Sequence, residues 1–171
     1  MVVYRVNHEI ATKALHLKPG ISVVGWYAAH PSEDKRTRAK VKKEGADLVV
    51  QNPPAHKGRA NDHQTLKLVA KLSNRGEQAI GVKVFNDRNE AENRLQWIED
   101  NAKRLKDVVH FPKRRFAYGN ALVYHWVAGR RAGEDEKLDA LIQLEKAGLY
   151  DHPYVKKGHI RINENGPHLL I

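Results

Sequence analysis

Asn61-Asp62-His63-Gln64-Thr65-Leu66-Lys67-Leu68-Val69-Ala70-Lys71-Leu72 is the stretch that decides the fold, because the segments on either side of it alternate between strand and helix signals. Asn61 or Asp62 is a good N-cap, and Leu66, Val69 and Ala70 recur at helical spacing with Leu72 close behind. Asn74-Arg75-Gly76 then breaks the pattern. The spacing predicts a helix from near Asn61 that buries Leu66, Val69, Ala70 and Leu72.

Upstream, Leu48 to Gln51 reads as a strand, Asn52-Pro53-Pro54 as a rigid extended turn, and His56-Lys57-Gly58-Arg59 as a basic loop. The segment before it is dense in charge. Ser32 is an N-cap candidate, Glu33 and Asp34 suit the first turn, and Lys35, Arg36, Arg38, Lys40, Lys42 and Lys43 leave only Ala39 and Val41 to pack. A surface helix ended by Gly45 is the expectation. The chain opens with a strand, Val2 to Val6, a helix capped by Asn7 that carries Ile10, Ala14 and Leu17, and a second strand, Ile21 to Tyr27.

Downstream, Ile80 to Phe85 reads as a strand. Asp87 with Glu90 resembles a capping box and precedes Ala91, Leu95, Ile98, Ala102 and Leu105 at steps of four and three, the strongest helical signal in the chain. Tyr118-Gly119-Asn120 turns into a strand from Ala121 to Val127. Leu138, Leu141, Ile142 and Leu144 mark a helix, and Ile160 to Ile162 a short strand. Together these elements predict one basic domain over residues 1–171, α/β or α+β, with helices packed on a mixed sheet and an echo of ferredoxin-like β-α-β units.

The chain has 171 residues, 41% hydrophobic and 29% charged, which suits a soluble domain with a continuous core. No apolar run reaches bilayer length and the first residues lack a signal-peptide pattern, so the expectation is a cytoplasmic protein with no membrane partner. The absence of cysteine excludes disulfides, thiolate zinc sites and thiol nucleophiles.

The formal charge of +10 and pI near 9.8 point to a polyanion partner. Nucleic acid is the leading expectation, RNA or single-stranded DNA before duplex. Lys35, Arg36, Arg38, Lys40 and Lys43, the loop cations Lys57 and Arg59, and Lys113, Arg114 and Arg115 are the candidate contacts. Phe111, Phe116 and Tyr118 interleave with the last group and suit either base stacking or a strand's core face. A metal-independent ribonuclease or nuclease toxin is the enzymatic alternative. There His56 and His63, beside Lys57 and Arg59, are the first acid–base candidates. An interaction module or inhibitor whose basic face meets an acidic protein is the third.

No cofactor is expected. No Gly-x-Gly-x-x-Gly or Gly-x-Ser-x-Gly occurs, and no His pair at helical spacing brackets a glutamate, so neither a dinucleotide, a serine nucleophile nor a metal is signalled. Asn52-Pro53-Pro54 is similar to the Asn-Pro-Pro turn of nucleic-acid amino methyltransferases, but Ala55 stands where that family has an aromatic residue. Glu134, Asp135, Glu136 and Asp139 fall in the first turns of a helix, where the dipole favours them.

Overall fold

The computed structural model describes residues 2–32, 36–57, 63–149, 151–157 and 159–171, except the side chains of residues 56, 57, 156 and 157. In chain order the elements are β1 (Val3–Asn7), α1 (His8–Lys13), β2 (Val23–Ala29), β3 (Arg38–Glu44), β4 (Asp47–Gln51), β5 (Ala55–Lys57), β6 (His63–Leu72) and β7 (Glu77–Phe85). They continue with α2 (Glu90–Asn101), β8 (Phe116–Tyr118), β9 (Ala121–His125), β10 (Arg130–Arg131), α3 (Glu134–Lys146), α4 (Pro153–Lys157), β11 (His159–Asn163) and β12 (Gly166–Leu170). Strands dominate, and the expected α/β or α+β layer of helices on a mixed sheet, with ferredoxin-like units, is overturned. The principal sheet is an antiparallel, nearly closed barrel-like one, ordered β1-β4-β3-β2-β6-β7-β9-β8, with β5 paired to β6.

The deciding stretch is the centre of that sheet. β6 pairs with β2 on one side and with β7 over Lys71↔Glu77 to His63↔Phe85 on the other. Leu66, Leu68 and Ala70, spaced by two, are all 0% exposed in the core, whereas the helical spacing had passed over Leu68. Val69 is also buried, on the other face, and apolar residues on both faces of a central strand imitate a helical stripe. Asn74-Arg75-Gly76, read as a helix stop, is instead the β6–β7 hairpin turn, with Leu72 N–H donating to Gly76 O at 2.9 Å.

The predicted basic helix is likewise a strand from Arg38 onward, with Arg36 in the segment before it. β3 alternates exposed Arg38, Lys40 and Lys42 with Ala39 and Val41, which pack against the core. Glu44 pairs with Asp47, so Gly45, at φ 59, turns a hairpin where a helix end was expected.

By internal contacts the chain divides into two compact units, residues 1–92 with 113–126, and residues 93–112 with 127–171. In the first unit Ala11, Ala14 and Leu15, from α1 and just after it, share one core with Leu48, Val50, Leu66, Ile80 and Val123. The Tyr4 hydroxyl of β1 donates to Gln64 Oε1 of β6 at 3.0 Å. A flat sheet would hold those strands, four places apart, about 19 Å from each other, so the sheet curls around its core. In the second unit Ile98, Leu105, Phe111, Ala140, Leu144 and Leu169 belong to a separate core, and β10, β11 and β12 form a small antiparallel sheet.

Candidate nucleic-acid interface

Because strand side chains alternate, the residues of β2, β3 and β6 that do not enter the core share the outer face of the barrel. Register arranges them in rows. One row runs Arg38, Ala29, Lys67, Gly81 and Tyr124 across β3, β2, β6, β7 and β9. The next runs Lys40, Tyr27, Val69 and Ala79, whose carbonyl accepts the Trp126 N–H at 3.0 Å.

Cations and aromatic rings meet on this face. The Arg38 guanidinium lies 4.4 Å from the Tyr27 ring centre, Lys71 Nζ lies 5.7 Å from the same ring, and Lys67 Nζ sits 4.9 Å over Trp126. Each such contact is worth about 0.5–1 kcal/mol at an exposed site, enough to hold an orientation and too little to explain a fold. The Tyr27 hydroxyl donates to Glu77 Oε2 at 2.7 Å, and Glu77 stands opposite Lys71. Partial burial pushes the Tyr27 phenol up, Glu77's hydrogen bond and charge push it further, and Arg38 opposes them. The phenol thus stays a donor to Glu77 while its ring faces the cations.

The expected basic residues divide among several places. Arg38 and Lys40 lie on this outer face, and Arg36 is exposed in the segment leading into β3. Lys43 falls on the opposite side of the pleat, and its charge, after burial, lowers the pKa of His8. Lys35 and Arg59 lie outside the described residues, as does the side chain of Lys57, whose backbone pairs with Gln64. Lys113, Arg114 and Arg115 precede β8, and Arg114 donates to the Lys13 carbonyl of α1 at 3.4 Å. Sequence reasoning missed Tyr27, Lys67, Lys71 and Trp126, which only register brings beside Arg38.

The aromatics expected beside the second basic group are divided. Phe111 is 5% exposed in the second unit's core, Phe116 packs against the first unit's core, and Tyr118 is 53% exposed.

The histidine candidates are separated in kind. His63 is half-buried with its ring 5.4 Å from that of Phe85, while β5 holds His56 opposite Thr65, its side chain outside the described residues. A different histidine, His125, is held by the backbone at an inward position of β9. His125 Nδ1 is 3.1 Å from the Ala14 carbonyl, and burial lowers its pKa against that hydrogen bond, assisted by His16, Arg114 and Lys113. A neutral imidazole donating through Nδ1 presents Nε2 as a base. Its sequence signal was a histidine at an inward position of an otherwise apolar alternation, after Ala121 and Val123.

Among the described residues no group of three or more histidine, aspartate or glutamate side chains is placed to hold a metal ion. No helix among them is long and apolar enough to cross a membrane. Comparison with protein-family models, curated proteins and solved structures finds no match to the chain.

Proposed function

We propose that this chain binds single-stranded nucleic acid, RNA or DNA before duplex, through the outer face of β3, β2 and β6. The observation that carries the proposal is Arg38 over the Tyr27 ring at 4.4 Å, with Lys40 and Lys71 beside it and the Lys67–Trp126 pair farther along the same two rows. Phosphates are met by cations and unpaired bases by ring faces, and a sheet offers both on one surface without needing a groove. The formal charge of +10 supplies the long-range attraction. A cysteine-free chain also suits a reducing compartment, and the cytoplasm is the proposed location.

Fluorescence anisotropy of a labelled single-stranded RNA, a single-stranded DNA and a duplex across a salt series tests the proposal. Affinity should fall with salt at about 0.7 logarithmic units per neutralised phosphate on a single strand. The triple variant Arg38→Gln, Lys40→Gln, Lys71→Gln should flatten that slope by about two units and leave the melting temperature nearly unchanged. A salt-independent wild type, or a variant that binds equally well, overturns the assignment. Cleavage of the probe, lost in His125→Asn, would transfer the function to a nuclease. Failure of every probe beside capture of an acidic protein would transfer it to an interaction module.

A further inference from the structure

The outer face of the barrel does not account for the positive charge gathered where α1 ends against β9. Two successive carbonyls at that end each accept from another segment: Lys13 O from Arg114 Nη1 at 3.4 Å, and Ala14 O from His125 Nδ1 at 3.1 Å. The His125 N–H in turn donates to the Lys113 carbonyl at 2.9 Å, which ties β9 to the segment before β8. His16 is fixed from a third side, because the Gln78 side chain of β7 accepts from its N–H and donates to its carbonyl, both at 2.8 Å. Two imidazoles, a guanidinium and an ammonium are thus brought together.

The α1 carbonyls satisfy one donor each of Arg114 and His125 and no more. The Lys113 ammonium and the His16 ring are exposed and have no hydrogen bond or ion pair among the described residues, and Arg114 has only its one long contact. Residues 14–18, 113–115 and 121–125 contain no carboxylate, and the one on α1, Glu9, is paired with Lys13 at 3.3 Å. The charges that act on the His125 ring are accordingly those of His16, Arg114 and Lys113, all of one sign, and after burial they hold its pKa down against the Ala14 hydrogen bond. Arg114 also keeps its backbone at φ 51, in the left-handed region, where strain in a residue other than glycine is found at ligand-binding sites.

We propose that this cluster is a binding site for a terminal phosphate group, a phosphate monoester dianion. Guanidinium, ammonium and imidazole donors arriving from three segments suit an anion with three free oxygens and nearly two charges, whereas a phosphodiester within a strand offers two free oxygens and one charge. Nε2 of His125, left over by the Nδ1 contact, becomes a donor only when the ring is protonated, so binding takes up a proton at this half-buried ring. A free nucleotide and the phosphorylated end of a strand carry the same chemistry. The site uses none of the cations of the outer face, so it does not rest on that reading.

Histidine Cε1–H NMR of the full chain tests it, with the His16 and His125 signals among the 10 histidines assigned by their loss in His16→Gln and His125→Asn. Inorganic phosphate, uridine 5′-monophosphate and one oligouridine with and without a 5′-phosphate are added in turn at matched ionic strength, with sodium chloride as the blank. The phosphate-bearing probes should shift both signals saturably and raise the His125 midpoint by about one unit. Lys113→Gln with Arg114→Gln should weaken binding by at least about tenfold and cancel that rise, and the exposed single change Lys113→Gln should weaken it several-fold with an unchanged melting temperature. Arg38→Gln with Lys40→Gln should alter nothing here, so failure of the outer-face reading leaves this one readable. A phosphorylated strand that binds about ten times tighter than the mononucleotide identifies a strand end as the ligand, and equal affinity identifies a free phosphate monoester. Unmoved His16 and His125 signals, shifts that chloride reproduces, shifts that survive loss of both cations, or an unphosphorylated strand that raises the His125 midpoint as far as the phosphorylated one would each overturn it.

Discussion

The inner and outer faces of the barrel sheet are made by the same strands under opposite rules. Inside, Leu66, Leu68, Ala70, Ile80 and Val82 are all 0% exposed and Val123 is 1% exposed. Outside, the same β6 presents Lys67 and Lys71, held at ring faces instead of against apolar neighbours. The outer face itself changes along the sheet: over β7 and β9, Lys83, Leu122 and Tyr124 are 6%, 2% and 3% exposed, while Arg38 and Lys40 on β3 stand open. On the proposed reading the recognition surface is confined to the open part of the outer face, over β3, β2 and β6, opposite the core, so stability and binding should respond independently to substitution there.

The largest test of that separation is Leu68→Ala. It leaves a hole among fully buried side chains and should cost about 2–5 kcal/mol, read as a lower urea midpoint with an unchanged slope. Affinity for a single-stranded probe, measured where the variant is still folded, should not move, since nothing on the outer face is altered. A fall in affinity of the folded variant would show that the two faces are coupled.

A smaller effect is expected at Gly81, where the outer face is packed. A Cβ built there would collide with Cζ and Cε2 of the Tyr124 ring, and Tyr124 is itself buried. Gly81 stands opposite Tyr124 in the β7–β9 register, so glycine is required by the ring that crosses it. Gly81→Ala should cost about 1–3 kcal/mol. Combining it with Tyr124→Leu should cost less than the two single changes added together, because the clash is removed. Additivity in a denaturation cycle would place the cost elsewhere.

These particulars explain what was legible in the sequence. α2 could be read because Ala91 and Ile98, now 0% and 2% exposed, repeat at helical spacing with polar residues between, although Ala102 and Leu105 of the same pattern fall beyond its end at Asn101. β6 could not, because a central strand with Val69 buried on one face and Leu66, Leu68 and Ala70 on the other satisfies helical spacing as well as alternation. β3 did carry its signal, Arg38-Ala39-Lys40-Val41-Lys42, but so few apolar residues gave the charge more weight than the alternation. Of the candidate interface, Arg38 and Lys40 were visible as charge. Tyr27, Lys71 and Trp126 were not, since partners so distant in the chain meet only through strand register, and a one-residue slip would send them to the other face.

The finest distinction between the faces is their response to alkali. Burial and Glu77 raise the Tyr27 pKa in the folded chain, so the phenol form is favoured by folding. Its contribution is therefore complete below the unfolded value of about 10 and is lost as pH rises through the higher folded value. Glu77→Gln removes the charge that opposes phenolate and should lower the Tyr27 midpoint, whereas Arg38→Gln should raise it. The chain has 6 tyrosines, so ultraviolet titration should be differenced against Tyr27→Phe to isolate the group. Leu68→Ala should leave that midpoint in place while the fold persists, because its cavity carries no charge. If Glu77→Gln leaves it in place too, burial alone holds the phenol, and the hydrogen bond at 2.7 Å positions the ring without setting its charge.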